Sequence, residues 1–143
     1  MLQRAAHRIA AAGNQNERET AARIRLVQAD LLALPFPPRG FATVLGLGLT
    51  HLIDDVPALV NTLRAQLAPG GELHLAGLVA GTRRGQRYLE FLHRAGEVAQ
   101  PRTAEELHVA LGQPTVFRTA GCMAYATLPA SPGQSGQYQD PTG

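Results

Sequence analysis

The sequence predicts an α/β fold in which short apolar strands alternate with amphipathic helices. Three features of the 143-residue chain support this class. Short runs rich in leucine, isoleucine and valine are each followed by a loop, an amphipathic helix separates two of these runs, and a Pro-Gly-Gly turn at residues 69–71 opens the second of them. Strands joined by helices form parallel sheets, which bind ligands at the carboxyl ends of their strands.

Composition bounds the size and class of the protein. With 45% hydrophobic and 17% charged residues, the chain can form one core. We expect one domain over residues 1–130 and a disordered tail over residues 131–143, which are rich in proline, glycine, serine and glutamine. The net charge of +2 forms no basic stripe, so we expect no nucleic-acid partner. One cysteine, no signal peptide and no long apolar run predict a cytoplasmic protein with no membrane partner.

The first part of the chain carries a helix pattern and then a strand pattern. Residues 1–12 place leucine, isoleucine and alanine on one face, which predicts an amphipathic helix. Residues 14–22 are polar and have no periodic apolar face, so we expect a loop or a short exposed turn. Residues 23–29 are β-rich and predict a strand that ends at Asp30.

The middle of the chain predicts a strand, a helix and a second strand. Residues 41–49 form an apolar run typical of a central strand covered on both faces. Asp55 and Pro57 mark the cap and first turn of a helix that runs to about Leu67. The next apolar run, residues 72–79, predicts the second strand.

The last part predicts two helices and a hairpin. Residues 83–95 have apolar side chains at three-four spacing, which indicates an amphipathic helix. Thr103 and Glu106 have the spacing of a capping box, which starts a short helix. Residues 115–119 and 122–128 are two short β-rich runs, which predict an antiparallel hairpin.

Five short motifs follow one another along the chain: Val27-Gln28-Ala29-Asp30, Leu34-Pro35-Phe36, Phe41-Ala42-Thr43-Val44, Leu49-Thr50-His51-Leu52 and Leu67-Ala68-Pro69-Gly70-Gly71. In this order and spacing the chain resembles the class I S-adenosylmethionine-dependent methyltransferases, specifically their type-11 small-molecule branch. The likeness extends to Leu128. It implies a three-layer Rossmann-like sheet of strand order 3-2-1-4-5-7-6 and methyl transfer from S-adenosylmethionine to a small molecule.

The resemblance begins partway through the family's sheet. The family's first strand, glycine-rich loop and second-strand acid would precede Met1, so we expect a sheet truncated at the N-terminus. Residues 23–29 then either pair directly with residues 41–49, giving the order 3-4-5-7-6 with an antiparallel last hairpin, or are poorly placed, or are completed by another chain. Ala42 also stands where the family usually has aspartate. We therefore expect weak or absent cofactor binding by this chain alone, and the start site is open to question.

The resemblance implies four cofactor-binding residues. The Asp30 carboxylate would accept a hydrogen bond from the adenine amino group, and the Leu31 N–H would reach an adenine ring nitrogen. Gly46 and Leu47 would lie along the methionine part of the cofactor. Two alternatives stay open: Asp30 caps a short turn, and Gly46 serves sheet packing.

His51 is the ionisable residue that the resemblance implies near the reaction centre. A base there could remove a proton from the methyl acceptor, and imidazole suits neutral pH. A structural role for His51 is the alternative. The other histidines have no partners at metal-ligand spacing, so we expect no metal site. Cys122 lies in a predicted strand, where we expect a small buried side chain rather than a nucleophile.

Three functions are compatible with these patterns. The first is methyl transfer to a small molecule whose identity the sequence does not reveal. The second is a non-catalytic methyltransferase-like module, completed by a partner or by a homodimer. The third is a fragment of a nicotinamide-dependent oxidoreductase, which is disfavoured because His51 stands where the dinucleotide fingerprint needs its third glycine. Binding assays would separate the three functions. Binding of S-adenosylmethionine supports the first, binding of neither S-adenosylmethionine nor NADH supports the second, and binding of NADH alone supports the third.

Overall fold

A computed structural model describes residues 2–11, 15–31, 33–112 and 114–130. The chain divides into two compact units, Met1–Leu34 and Pro35–Gly143. The predicted tail at residues 131–143 lies outside the described residues.

The first unit contains two helices, α1 (Leu2–Ala10) and α2 (Gln15–Ala22). Helix α1 was predicted from the sequence. The prediction of a loop or exposed turn at residues 14–22 is wrong, because Gln15–Ala22 is helix α2. The α2 sequence consists largely of residues with high helix propensity, and this propensity forms a helix without an apolar face. Within this helix the Thr20 hydroxyl donates a hydrogen bond of 2.8 Å to the Asn16 carbonyl.

The strand predicted at residues 23–29 is not formed. These residues have no regular secondary structure after a turn at Arg23, and they make no ladder with another strand in the described chain. Their apolar side chains are 47% (Ile24), 42% (Leu26) and 49% (Val27) exposed. The five-strand order 3-4-5-7-6 is therefore wrong, because an apolar run becomes a strand only when a neighbouring edge satisfies its backbone.

The second unit contains a four-stranded sheet of order β1-β2-β4-β3. The first pair is parallel, and the other two pairs are antiparallel. This order equals the 4-5-7-6 part of the expected sheet, which confirms the α/β class and the antiparallel last hairpin. The elements, in chain order, are β1 (Phe41–Leu47), α3 (Val56–Ala65), β2 (Leu67–Leu78), α4 (Arg83–Arg94), α5 (Ala104–Ala110), β3 (Val116–Ala120) and β4 (Met123–Pro129).

The predicted helix caps of this unit are confirmed. Asp55 accepts a hydrogen bond of 2.9 Å from the Ala58 N–H at the start of α3. At the start of α5, Thr103 accepts from the Glu106 N–H, and the Glu106 carboxylate accepts from the Thr103 N–H. These bonds satisfy amides that a helix start leaves unpaired.

One face of the sheet, which we call the inner face, is packed under helices. Leu73 and Leu75 of β2 and Leu128 of β4 are at most 3% exposed. Leu59 and Leu63 of α3 are also buried, and Leu63 lies on the same side of the sheet as Leu75. This layer is the core of the second unit.

The opposite face, which we call the outer face, carries exposed apolar side chains. Leu45 and Leu47 of β1 are 65% and 68% exposed, and Tyr125 of β4 is 47% exposed. The register places Leu47 and Tyr125 on either side of Ala76. Cys122 lies in the exposed turn between β3 and β4, so the prediction of a buried strand cysteine is wrong.

Candidate functional site

The parallel strands β1 and β2 end side by side. Leu47 pairs with Ala76, and the Gly48 N–H donates to the Ala76 carbonyl over 2.7 Å. The chain then leaves β1 through residues 48–54 and leaves β2 through residues 79–82. We call this end of the two strands the carboxyl edge, and it is the position at which open α/β sheets bind ligands.

Gly46 has a packing reason to be glycine. It is buried, and a Cβ added to it would lie 2.5 Å from Leu75 Cδ2 and 3.3 Å from Leu49 Cδ1. A side chain at this position would displace the inner-face core. Leu47, the next residue, points to the outer face and stays exposed.

The loop after β1 returns over the end of β2. Gly48 has a φ of +73°, a left-handed conformation that suits glycine, and the Leu52 N–H closes a turn on the Leu49 carbonyl. The Thr50 hydroxyl then sits against Gly77, where an added Cβ would lie 1.8 Å from Thr50 Oγ1. Gly77 therefore makes room for the loop, a role that the sequence pattern did not show.

His51 is half-buried at the carboxyl edge. The Leu78 backbone N–H donates to His51 Nδ1 over 3.2 Å. Burial lowers the pKa of His51 below its usual value of 6.5, because desolvation disfavours the charged ring. Burial therefore favours the neutral form of the ring.

Arg102 joins the His51 loop to the rest of the edge. Its guanidinium donates to the carbonyls of Thr50 (3.4 Å), Ile53 (3.2 Å) and Asp54. In the same region the Ala99 N–H donates to the His51 carbonyl over 2.9 Å. Sequence reasoning missed Arg102, because these contacts join residues 48 to 52 positions apart.

A small cavity lies behind His51. It measures about 10 Å³, room for about one water molecule, and Thr50, Leu89 and Leu107 contribute to its wall. Thr50 Oγ1 is buried and has no hydrogen-bond partner in the described part of the chain. The cavity itself is too small for a nucleoside, so any larger ligand of this edge must lie outside it.

The predicted site residues are divided between the two units. Gly46, Leu47 and His51 lie together at the carboxyl edge of the second unit. Asp30 and Leu31 lie in the first unit, where Asp30 is exposed and forms an isolated bridge with Ala33. The Ala33 N–H donates to the Asp30 carbonyl over 3.1 Å, so Asp30 begins a short turn.

Two other classes of site are absent from the described ranges. No group of three or more histidine, cysteine, aspartate or glutamate side chains there could hold a metal ion. No helix in those ranges is long and apolar enough to cross a membrane.

Comparison with known proteins gives a family match and a fold match. The family model for the type-11 methyltransferase domain matches residues 1–75. No curated protein matches the chain. Among solved structures, a methyltransferase of Thermotoga maritima, described as a possible histamine N-methyltransferase, has a TM-score of 0.62 at 14% identity. The alignment covers 82% of this chain and 70% of that one.

Two further structures show how widely this fold is used. Geranyl diphosphate C-methyltransferase of Streptomyces coelicolor, solved with S-adenosyl-L-homocysteine, has a TM-score of 0.64 at 12% identity; the alignment covers 81% of this chain and 55% of that one. The [4+2]-cyclase SpnF has a TM-score of 0.55 at 20% identity, with 72% of this chain and 37% of that chain covered. This chain therefore spans about half the length of some relatives, and these likenesses show the fold alone.

Proposed function

Because the chain belongs to the type-11 methyltransferase domain family, we propose that it acts in the transfer of a methyl group from S-adenosylmethionine to a small molecule. The observation that carries the proposal is the carboxyl edge, where β1 and β2 end together beside His51. One solved structure of the same fold contains S-adenosyl-L-homocysteine and another contains geranyl diphosphate, which supports a small-molecule acceptor here.

The chemistry of the residues fits part of the cofactor. The Asp30 carboxylate is an acceptor for the adenine amino group, and the Leu31 N–H is a donor for an adenine ring nitrogen. Exposed Leu47 offers an apolar surface for the methionine chain. When bound, S-adenosylmethionine supplies an electrophilic methyl group on a sulfonium. The chain's own residues would bind and orient the ligands, and orientation supplies much of the acceleration in such reactions.

Calorimetry tests this proposal directly. We expect S-adenosylhomocysteine to release heat on binding. Asp30→Asn should weaken the affinity about tenfold, because the asparagine amide has one accepting oxygen where the carboxylate has two. Glu97→Gln removes an exposed carboxylate in the second unit and should leave the affinity unchanged. Equal effects of the two variants would contradict the role of Asp30. The cytoplasmic location stays a prediction that cell fractionation would test.

A second candidate function rests on the outer face. Leu45 and Leu47 are exposed on β1, which is an edge strand of the described sheet. An uncharged edge strand with apolar side chains favours pairing with another polypeptide. The chain would then be a non-catalytic module completed by a partner or by a second copy.

Sedimentation and calorimetry together separate the two functions. The module predicts a concentration-dependent dimer, or capture by a partner, and no heat with S-adenosylmethionine at high concentration. Leu47→Glu should abolish the association, whereas Val109→Glu, at a 75% exposed site on α5, should not. A monomer that binds S-adenosylmethionine would exclude the non-catalytic module and support the methyltransferase proposal.

A further inference from the structure

The hydrogen bond from Leu78 determines which nitrogen of His51 carries the proton. A backbone N–H can only donate, so His51 Nδ1 must present its lone pair to Leu78. In a neutral imidazole the other nitrogen, Nε2, then holds the hydrogen. Nε2 has no hydrogen-bond partner among the described residues. The ring therefore offers a donor, not an acceptor, to a ligand.

We propose that His51 works as a neutral hydrogen-bond donor through Nε2–H, and that Arg102 is the positioning residue that keeps it in this state. The inference rests on the proposed function, because it names how one residue of the same site contacts a ligand. It replaces the expectation that His51 is a general base. A base needs a free lone pair, and the lone pair of this ring faces the Leu78 N–H.

Arg102 contacts both chain segments that contribute to the His51–Leu78 hydrogen bond, which sets the tautomer. Its guanidinium binds carbonyls on either side of His51, at Thr50 and at Ile53 and Asp54. Its own carbonyl accepts from the Ala80 N–H over 2.8 Å, two residues beyond Leu78. One residue therefore ties the loop that carries the ring to the strand end that carries the amide.

The geometry of guanidinium explains why arginine stands at residue 102. Three carbonyls converge on one planar fork of donors, which a lysine ammonium cannot match from a single point. The backbone bond from Ala99 to the His51 carbonyl adds a fourth link between the two segments. Loss of the arginine leaves these carbonyls unpaired and frees the loop to move.

The ligand group that this donor suits is a carboxylate. A carboxylate only accepts, and its charge strengthens a hydrogen bond from a neutral donor. Thr50 and Leu78, which flank the ring, bring no competing charge. Asp54 at the end of the same loop accepts from the Gln100 N–H, and the Arg102 guanidinium donates to the loop carbonyls. The amino-acid end of S-adenosylmethionine carries such a carboxylate, so we expect His51 to contact that end.

Nitrogen-detected NMR of histidine tautomers at about pH 8, where the ring is neutral, tests the positioning role. The wild-type His51 signals, assigned by their loss in His51→Gln, should show a protonated Nε2 and an unprotonated Nδ1. Arg102→Gln should give a mixture of tautomers, and Arg102→Lys should lie between the two. Arg87→Ala removes an exposed arginine from α4 and should not change the spectrum.

Two results overturn the positioning role. One is a wild-type ring protonated at Nδ1, and the other is a single unchanged tautomer in Arg102→Gln. If Arg102→Gln fails to fold, Arg102→Lys and the wild-type tautomer still decide the question. None of these readouts depends on cofactor binding.

Ligand titrations test the donor role. S-adenosylhomocysteine should shift the His51 Nε2–H signal, whereas methylthioadenosine, which lacks the carboxylate, should not. His51→Gln keeps an amide donor and should bind within about threefold of wild type, and His51→Ala should bind about tenfold more weakly. Binding with no shift of this signal overturns the donor role. Absence of binding with the tautomer intact overturns the proposed function and with it the donor role, and leaves the positioning role of Arg102 standing.

Discussion

The two faces of the sheet are both rich in apolar side chains, yet their surroundings differ. On the inner face, Leu73 and Leu128 are fully buried under the helices of the second unit. On the outer face, Leu45 and Leu47 are about two thirds exposed. The same residue type therefore serves as core on one face and as accessible surface on the other.

This difference shows what an apolar pattern does and does not determine. A near-continuous apolar strand such as β1 is typical of a sheet that is covered on both faces. The pattern states that both faces can be buried, but not what buries them. The predictions below measure how far the two faces differ, from the largest expected effect to the smallest.

Leu73→Ala should have the largest effect, because it leaves a cavity in the inner-face core. We expect the free energy of unfolding to fall by about 2–5 kcal/mol. Urea denaturation followed by circular dichroism would measure the loss. A loss below about 1 kcal/mol would contradict the assignment of the inner face as the core of this unit.

Gly77→Ala should have a smaller but clear effect, because the new Cβ would meet Thr50 Oγ1 at 1.8 Å. Overpacking of this kind costs about 1–3 kcal/mol. The double variant with Thr50→Ala removes the hydroxyl and should recover part of the loss, although Thr50 Cβ stays 3.2 Å away. Strict additivity of the two single effects would refute the contact.

His51 should make stability depend on pH. Its folded pKa lies below 6.5, so the unfolded chain binds more protons between the folded pKa and 6.5. The contribution is fully present above 6.5 and is lost as the pH falls through the folded pKa. Thermal unfolding over this range should show the dependence in wild type and a weaker one in His51→Gln. Identical profiles would mean that burial of this ring does not matter.

Leu47→Ser should have the smallest effect on stability, because the side chain is exposed. We expect a change within about 0.5 kcal/mol in a monomer, measured beside Leu73→Ala under the same conditions. A large loss that grows with protein concentration would instead show that the outer face is buried in an assembly.

The contrast between residues 23–29 and β1 shows where sequence reasoning fails. Both runs contain apolar residues that favour strands, but β1 pairs with β2 as a parallel neighbour, whereas residues 23–29 make no ladder in the described chain. Helix α2 was missed for the opposite reason, because most of its residues favour a helix while their periodicity gives no signal. The candidate site was predicted only in part, since Arg102 and Gly77 act through contacts that are distant in sequence.

Local chemistry in the sequence by itself determined the helix starts at Asp55 and Thr103, the order of β1, α3 and β2, and the final hairpin. These features depend on residues a few positions apart, so their spacing is sufficient to predict them. Tertiary structure alone decided which apolar runs became strands, which leucines were buried and which backbone group the His51 ring contacts. Each of these depends on a partner elsewhere in the chain. For example, the Leu78 N–H donates a hydrogen bond to Nδ1 of the His51 ring.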